Sequence, residues 1–254
     1  MFLVKPNPPE NAGPEGQNGD VTDSGAQDRL EEEARSLGIG LPAGASHDLI
    51  EVLERLRASP HNLTAISGLD DGVERHLLDS LVAVALPELQ QASRIADVGS
   101  GGGFPGIALA AALPRAEASL IESVRRKAAW LASLSDLFPN IAVVPERSEM
   151  LAAGPDRFDV VVARALAPGP VALELCSPLA RVGGHVILWA GHADSEGDAR
   201  TALAAEHLRL SPCRVVPVEP FPGANRRLLV FDKPEPTPER FPRRPGRAGS
   251  HPIA

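Results

Sequence analysis

The chain has 254 residues, 43% of them hydrophobic and 4% aromatic, with a formal net charge of −8. That length and apolar content suit one large globular domain with a substantial core, and the acidic balance excludes a uniformly basic nucleic-acid binder. No apolar run approaches the ~18 residues of a membrane span, and the two cysteines, Cys176 and Cys213, form no CxxC pair, so neither a metal site nor a disulfide framework is expected.

The charge is uneven. Residues 1–36 hold eight acids against three bases, a net of −5, whereas residues 233–251 hold five bases against two acids, a net of +3. The amino terminus lacks a charged segment followed by an apolar core, so no signal peptide is expected. A reducing cytoplasm is the expected compartment.

Residues 1–27 are rich in Pro, Gly, Asn, Gln and Asp, a composition that cannot offset its own ordering entropy, and are expected to be disordered. A helix is predicted from Asp28, with Leu30, Ala34 and Leu37 on one face and Gly38 as its stop. A second helix is predicted over 46–58, with Ser46 as N-cap and an apolar stripe of Leu49, Ile50, Leu53 and Leu56. Residues 61–66 read as a turn and 72–86 as a third helix. Residues 28–90 would then form a small helical cap beside a main domain over 91–234.

From residue 94 the pattern alternates. Strands are predicted at 94–98, 118–122, 141–145, 158–163, 185–190, 213–220 and 227–232. Helices are predicted at 105–112, 124–137, 169–181 and 195–207. Such alternation implies a mostly parallel, doubly wound α/β sheet. The short link Pro222-Gly223-Ala224-Asn225 makes the last two strands an antiparallel hairpin. Seven strands ending in a hairpin match the Rossmann-like class I methyltransferase plan rather than the six-strand dinucleotide plan. Residues 235–254 read as a basic Pro/Arg tail.

The richest stretch is 94–109, Arg-Ile-Ala-Asp-Val-Gly-Ser-Gly-Gly-Gly-Phe-Pro-Gly-Ile-Ala-Leu. A strand, a turn carrying Gly99, Gly101 and Gly103, and a helix start make a nucleotide-type pocket. Gly101-x-Gly103-x-x-Gly106 also satisfies the dinucleotide fingerprint, so an NAD enzyme and a ligand-free βα turn stay open on that pattern alone. Asp97 discriminates between them. A carboxylate two residues before the first glycine repels a pyrophosphate and suits a cation, which favours S-adenosylmethionine with its ammonium and sulfonium.

Glu122, about 20 residues past the turn, stands where an acid accepts ribose hydroxyls. Its alternative is a solvent-facing strand end. Ser148 and Glu149 follow the third strand, where the adenine edge is read mostly by backbone; Glu149 alternatively supplies negative charge to a helix start. Arg164 ends the fourth strand and would hold cofactor or RNA phosphate, or else pair with Asp97 or Glu122. His76, on a helix beside Asp79, is read as structural rather than as an acid–base group.

These segments together resemble the RsmG (GidB) small-subunit rRNA methyltransferases. The matches run over roughly 190 residues: Asn62-Leu63-Thr64, Arg75-His76-Leu77-Leu78-Asp79-Ser80, Asp97 to Gly106, Arg147-Ser148-Glu149, Arg164-Ala165, and Pro238-Glu239-Arg240-Phe241-Pro242-Arg243-Arg244-Pro245-Gly246. The resemblance implies methyl transfer from S-adenosylmethionine to guanine N7 in the 530 loop of 16S rRNA. It also implies cofactor contacts at Gly99, Phe104, Ser148, Glu149 and Arg164. Two positions depart from the family pattern. Trp189-Ala190-Gly191 stands where a Lys-Gly pair is usual, so a basic contact near the substrate is missing or replaced, and Ala163 stands where a Ser is common.

Guanine N7 has a free lone pair and loses no proton on attack, so no general base is expected and no catalytic side chain is nominated; proximity and orientation would carry the reaction. RNA contacts are expected at Arg226, Arg227, Lys233, Arg240, Arg243 and Arg244, the last three on an extended tail. The expected partner is 16S rRNA within the small subunit, bound by a monomer with no metal and no membrane. A small-molecule methyltransferase on the same fold and a non-catalytic RNA-binding relative remain the alternatives.

Overall fold

The computed structural model describes residues 23–59, 66, 68–151 and 158–254. The segment 1–22, the match Asn62-Leu63-Thr64 and most of the turn expected at 61–66 lie outside the described residues.

Helix α1 spans Asp23–Ser36. It begins inside the stretch expected to be disordered, because Ala26, Leu30 and Ala34, one turn apart, are all fully buried. Helix α2 spans Ala45–Ala58. Its N-cap is Gly44 at φ 85°, not Ser46. The Ser46 hydroxyl instead donates to Glu31 Oε1 at 2.6 Å, tying α2 to α1.

The third expected helix is a chain of short pieces. Leu69–Gly72 (α3) leads into a π-helical turn over Val73–Leu78, then Asp79–Leu81 (α4), a 3₁₀ turn over Val82–Ala85, and Pro87–Gln90 (α5). The widened turn sets the directions of His76 and Asp79, which face the site described below. Apolar periodicity does not encode such a turn.

The strands are β1 Arg94–Val98, β2 Glu117–Ile121, β3 Ile141–Val144, β4 Phe158–Arg164, β5 Ala180–Ala190, β6 Arg214–Val218 and β7 Arg226–Asp232. They form one seven-stranded sheet in the order β3-β2-β1-β4-β5-β7-β6. The first five are parallel, and β7 runs antiparallel to both β5 and β6, as the short link predicts. Helices α6 Gly106–Ala112, α7 Arg125–Ala132, α8 Ser148–Leu151, α9 Gly169–Cys176, α10 Ser195–His207 and α11 Arg247–Ser250 complete the chain.

Two expected helices are shorter than their apolar patterns. α7 stops at Ala132, where the Ser133 and Ser135 hydroxyls donate to the Trp130 and Ala132 carbonyls and compete with the helical ladder. α9 stops at Cys176: Ser177 keeps helical angles, but Pro178 has no N–H with which to continue the ladder. β5 consequently starts at Ala180, five residues early, and passes through Gly183 in a left-handed conformation.

The sheet is covered on both faces. Alternate β4 residues divide between two cores: Val160 and Val162 pack with α1, α2, α6 and the helical pieces after α2, while Val161 and Ala163 pack with α9 and α10. The cap therefore shares a core with the sheet and is not a separate body. Residues after β7 do not extend away from the domain. Phe241, Ile253 and Ala254 pack into the second core.

Leu81 is fully buried where the cap meets the sheet. Leu81→Ala should cost about 2–5 kcal/mol. Urea unfolding should remain one cooperative transition, and a separate early transition of the cap would contradict the shared core.

Candidate functional site

The site lies at the carboxyl ends of β1, β2 and β4, where β1 and β4 diverge toward opposite halves of the sheet. β1 ends at Val98, one residue past Asp97, the turn covers residues 99–104, and α6 starts at Gly106. Asp97 Oδ2 accepts the Gly106 N–H at 3.0 Å. This approach requires glycine: a Cβ at Gly106 would stand 2.7 Å from Asp97 Oδ2 and 2.3 Å from Leu120 Cδ2. At Gly99, in left-handed geometry at φ 75°, a Cβ would meet Leu166 Cδ1 at 2.5 Å. Trp130 props the turn from outside, its Nε1 donating to the Gly102 carbonyl at 3.0 Å.

Asp97 is fully buried and its Oδ1 has no hydrogen-bond partner among the described residues. Burial pushes its pKa up to about 6, while the Gly106 N–H and the Arg164 charge pull the other way. Glu122 follows β2, nearly buried, with Oε2 accepting the Gly101 N–H at 3.0 Å and Oε1 the Val124 N–H at 2.7 Å. It thus spans the turn and the start of α7. Each oxygen retains a lone pair for a hydroxyl donor.

A cavity of ≈ 360 Å³ opens beside the turn. Gly99, Glu122, Ser148 and Glu149 line it, joined by Lys127, Arg147, Leu166, Gly246 and Gly249. Of the expected cofactor residues, Gly101 and Gly103 shape the turn, and Asp97 lies beneath it. Phe104 and Arg164 lie apart from that lining, in a second cluster. There Phe104 stacks on His76, with ring centroids 4.8 Å apart and planes 7° from parallel, and the Arg164 guanidinium sits 5.9 Å from the Phe104 centroid.

Arg164 pairs with neither Asp97 nor Glu122. Its Nη1 donates to Asp79 Oδ2 at 2.9 Å and to the Arg75 carbonyl at 3.0 Å. Asp79 Oδ1 accepts from Arg226 Nε at 3.0 Å, and the Asp79 carbonyl accepts from Trp189 Nε1 at 2.6 Å. The nearly buried Asp79 thus joins the cap to β4 and β7 through its carboxylate and to β5 through its carbonyl. Burial, with the Arg164 charge beside it, lowers the His76 pKa to about 4, so the imidazole is neutral at physiological pH.

The expected RNA-binding cations divide in two. Arg226 is held by Asp79; Arg227 is held by Asp198 and by the Gly191 and His192 carbonyls. Lys233 is 3% exposed with its ammonium on Thr237, so a phosphate contact at that buried position is corrected. Arg243 pairs with Glu174, itself 1% exposed. Arg240 and Arg244 are exposed. The tail is therefore a strap folded onto the domain, not an extended arm. Arg227 stands opposite Ala190 in the β5–β7 register, so a cation does lie beside Ala190.

Asp79 falls in a matched segment, but its pairing with Arg164 and Arg226 is visible only in three dimensions; Trp130, Leu166, Glu174 and Gly249 lie in no quoted motif, and their roles arise from proximity alone. Ala165 is a further case: it adopts φ 54° in the loop after β4 that walls both this cavity and a neighbouring one of ≈ 270 Å³.

This sheet order, with a glycine turn after β1 and an acid after β2, defines the class I methyltransferase fold. The O-methyltransferase of Bacillus cereus, solved in complex with SAH, shares it at a TM-score of 0.55 and 19% identity, covering 81% of this chain and 97% of that one. Aeropyrum pernix fibrillarin, solved with bound S-adenosyl-L-methionine, matches at 0.50 and 16%, covering 61% and 73%. More specifically, the family described as rRNA small subunit methyltransferase G (GidB) matches residues 47–215, and the chain belongs to that family. Ribosomal RNA small subunit methyltransferase G of Rubrobacter xylanophilus is 40% identical over 189 residues, 70% of this chain and 72% of its own. That of a Roseiflexus species is 36% identical over 236 residues, 89% and 99%.

Two electrostatic outcomes follow. Asp97 titrates higher in the folded chain than its ordinary 3.8, so its contribution to stability is full below pH 3.8 and is lost as pH rises through about 6. Asp97→Asn should therefore raise Tm at pH 7.5 by several degrees, read by calorimetry; a lower Tm would contradict a buried, partly unpartnered charge. Asp79→Ala should cost about 3–5 kcal/mol by leaving Arg164 and Arg226 without their shared carboxylate, read by urea unfolding. A loss below 1 kcal/mol would show the node to be dispensable.

Proposed function

We propose that this chain transfers the methyl group of S-adenosylmethionine to N7 of a guanine in the 530 loop of 16S rRNA. The observation that carries the reading is the buried Asp97, one oxygen committed to the turn and the other unpartnered, beside a cavity edged by Glu122, Ser148 and Glu149. This donor set fits an amino-acid-bearing nucleoside. A carboxylate answers an ammonium, a second carboxylate answers ribose hydroxyls, and the β3–α8 turn lies where a base edge would be read. A dinucleotide fits poorly, because its pyrophosphate would face both carboxylates.

When bound, the cofactor supplies an activated methyl on a sulfonium. The chain's own residues bind, orient and exclude water. Asp97 and Glu122 hold the two polar ends of the ligand against the turn, and Leu166 walls the cavity on the side of β4. The neutral His76 stacked on Phe104 presents a flat, uncharged surface held by the Arg164–Asp79 pair. A His with its pKa near 4 gives no proton at neutral pH, and N7 attack requires none to be removed. Rate enhancement then rests on proximity and desolvation. Family membership supports ribosomal RNA as the acceptor, and the exposed Arg240 and Arg244 are proposed phosphate contacts.

Small subunits from a strain lacking this gene, incubated with the chain and methyl-labelled cofactor, should take up label at one guanine of the 530 loop. Label elsewhere, or none, rejects the reading. Cofactor affinity measured by calorimetry should fall as pH drops below about 6, where Asp97 takes up a proton. In Asp97→Asn it should be weaker by about tenfold or more and lose that pH dependence; unchanged affinity would remove Asp97 from the site.

A further inference from the structure

The segment after β7 has two faces with different company. On the inner face it is pinned at three points. Phe241 is packed into the second core. Arg243 holds the buried Glu174 of α9 through Nη2–Oε2 at 2.5 Å, Nε–Oε1 at 2.8 Å and its own N–H at 3.1 Å. The Ala254 carbonyl accepts from Arg200 Nη2 at 2.7 Å. Between these anchors the Gly246 N–H donates to Glu149 Oε1 at 3.1 Å, and Gly246, Ala248 and Gly249 form a wall of the ≈ 360 Å³ cavity. A Cβ at Gly249 would meet nothing within 4 Å.

On the outer face Arg240 and Arg244 are exposed. Arg244 has no side-chain partner among the described residues, and neither do Lys127 and Arg147 on the cavity rim. In a chain of net charge −8, whose other expected RNA-binding cations are consumed by Asp79, Asp198, Thr237 and Glu174, exposed cations on the strap, with the cations on the rim of the cavity that the strap walls, attract a polyanion.

We propose that the strap over 240–250 joins the two ligands: its inner face closes the cofactor cavity, and its outer arginines, with Lys127 and Arg147 across the rim, hold RNA backbone phosphates. RNA bound on the outside holds the strap, and with it Glu149, in the closed position that the cofactor needs. Each ligand therefore tightens the other by the same factor. This rests on the proposed rRNA substrate and adds where the RNA backbone lies and how it reaches the cofactor.

The test is calorimetric titration with S-adenosylhomocysteine, alone and with small subunits from the deletion strain, alongside RNA binding measured across a salt series. In the wild type the subunits should tighten cofactor binding about fivefold or more. Arg240→Ala/Arg244→Ala should bind cofactor alone as the wild type does, lose the tightening, and lower the salt slope of RNA binding by about 0.7–0.9 per contact removed. Gly249→Leu, with wild-type Tm and RNA binding, should bind cofactor at least about tenfold more weakly through occupation of the cavity wall. Equal wild-type cofactor affinity with and without subunits overturns the coupling, and undiminished cofactor binding by Gly249→Leu overturns the inner face. Failure of the wild type to bind subunits at any salt overturns both this inference and the proposed substrate.

Discussion

The hydrogen bond from the Gly106 N–H to Asp97 Oδ2 joins the end of β1 to the beginning of α6 across a span of glycines. Everything at the site is arranged around the room that bond allows. Gly106 has no side chain because Leu120 and Asp97 already fill the space, and Gly99 has none because Leu166 approaches from the loop after β4. With these contacts satisfied the turn can stand open between β1 and β2, and Glu122 can accept the Gly101 amide from the far side. Asp97 keeps a charge in a fully buried position to do so. The unpartnered oxygen and raised pKa mark a buried charge held at a cost to folding stability.

Asp79 plays a comparable part at longer range. The π-helical turn before it carries His76 and Asp79 to the end of the sheet, where one carboxylate receives Arg164 from β4 and Arg226 from β7. A buried ion pair of this kind contributes little net stability against an apolar alternative, yet it is costly to break. Its value is positional: it sets the register of the helical cap against two strands that are far apart in sequence. It also stations the Arg164 guanidinium near the Phe104–His76 stack without committing it to either acid of the turn.

Charge at the carboxyl end of the chain shows why composition alone misleads about partners. Six cations from that half of the sequence suggest a polyanion-binding arm. Four of them meet an acid, a carbonyl or a hydroxyl inside the fold. Of the six, only Arg240 and Arg244 remain exposed, while the cavity rim takes its cations, Lys127 and Arg147, from distant segments. Location rather than number decides which charges a partner can meet.

The sequence by itself determined the architecture. Short apolar runs, apolar helix faces, glycine–proline punctuation and the short last link are local signals, and they place seven strands and the terminal hairpin to within five residues. It also determined the glycine turn, because Asp97, the glycines and Glu122 lie at short, readable spacings. Only the tertiary structure decided who partners whom. The Arg164–Asp79 pair spans 85 residues, the Arg226–Asp79 pair 147, and the Arg243–Glu174 pair 69. No periodicity records a contact between residues so far apart. For the same reason the tail's return over the cavity was illegible: Phe241, Arg243 and Gly246 look like a solvated basic segment until Glu174 and Glu149 are brought beneath them by helices formed some 70–100 residues earlier.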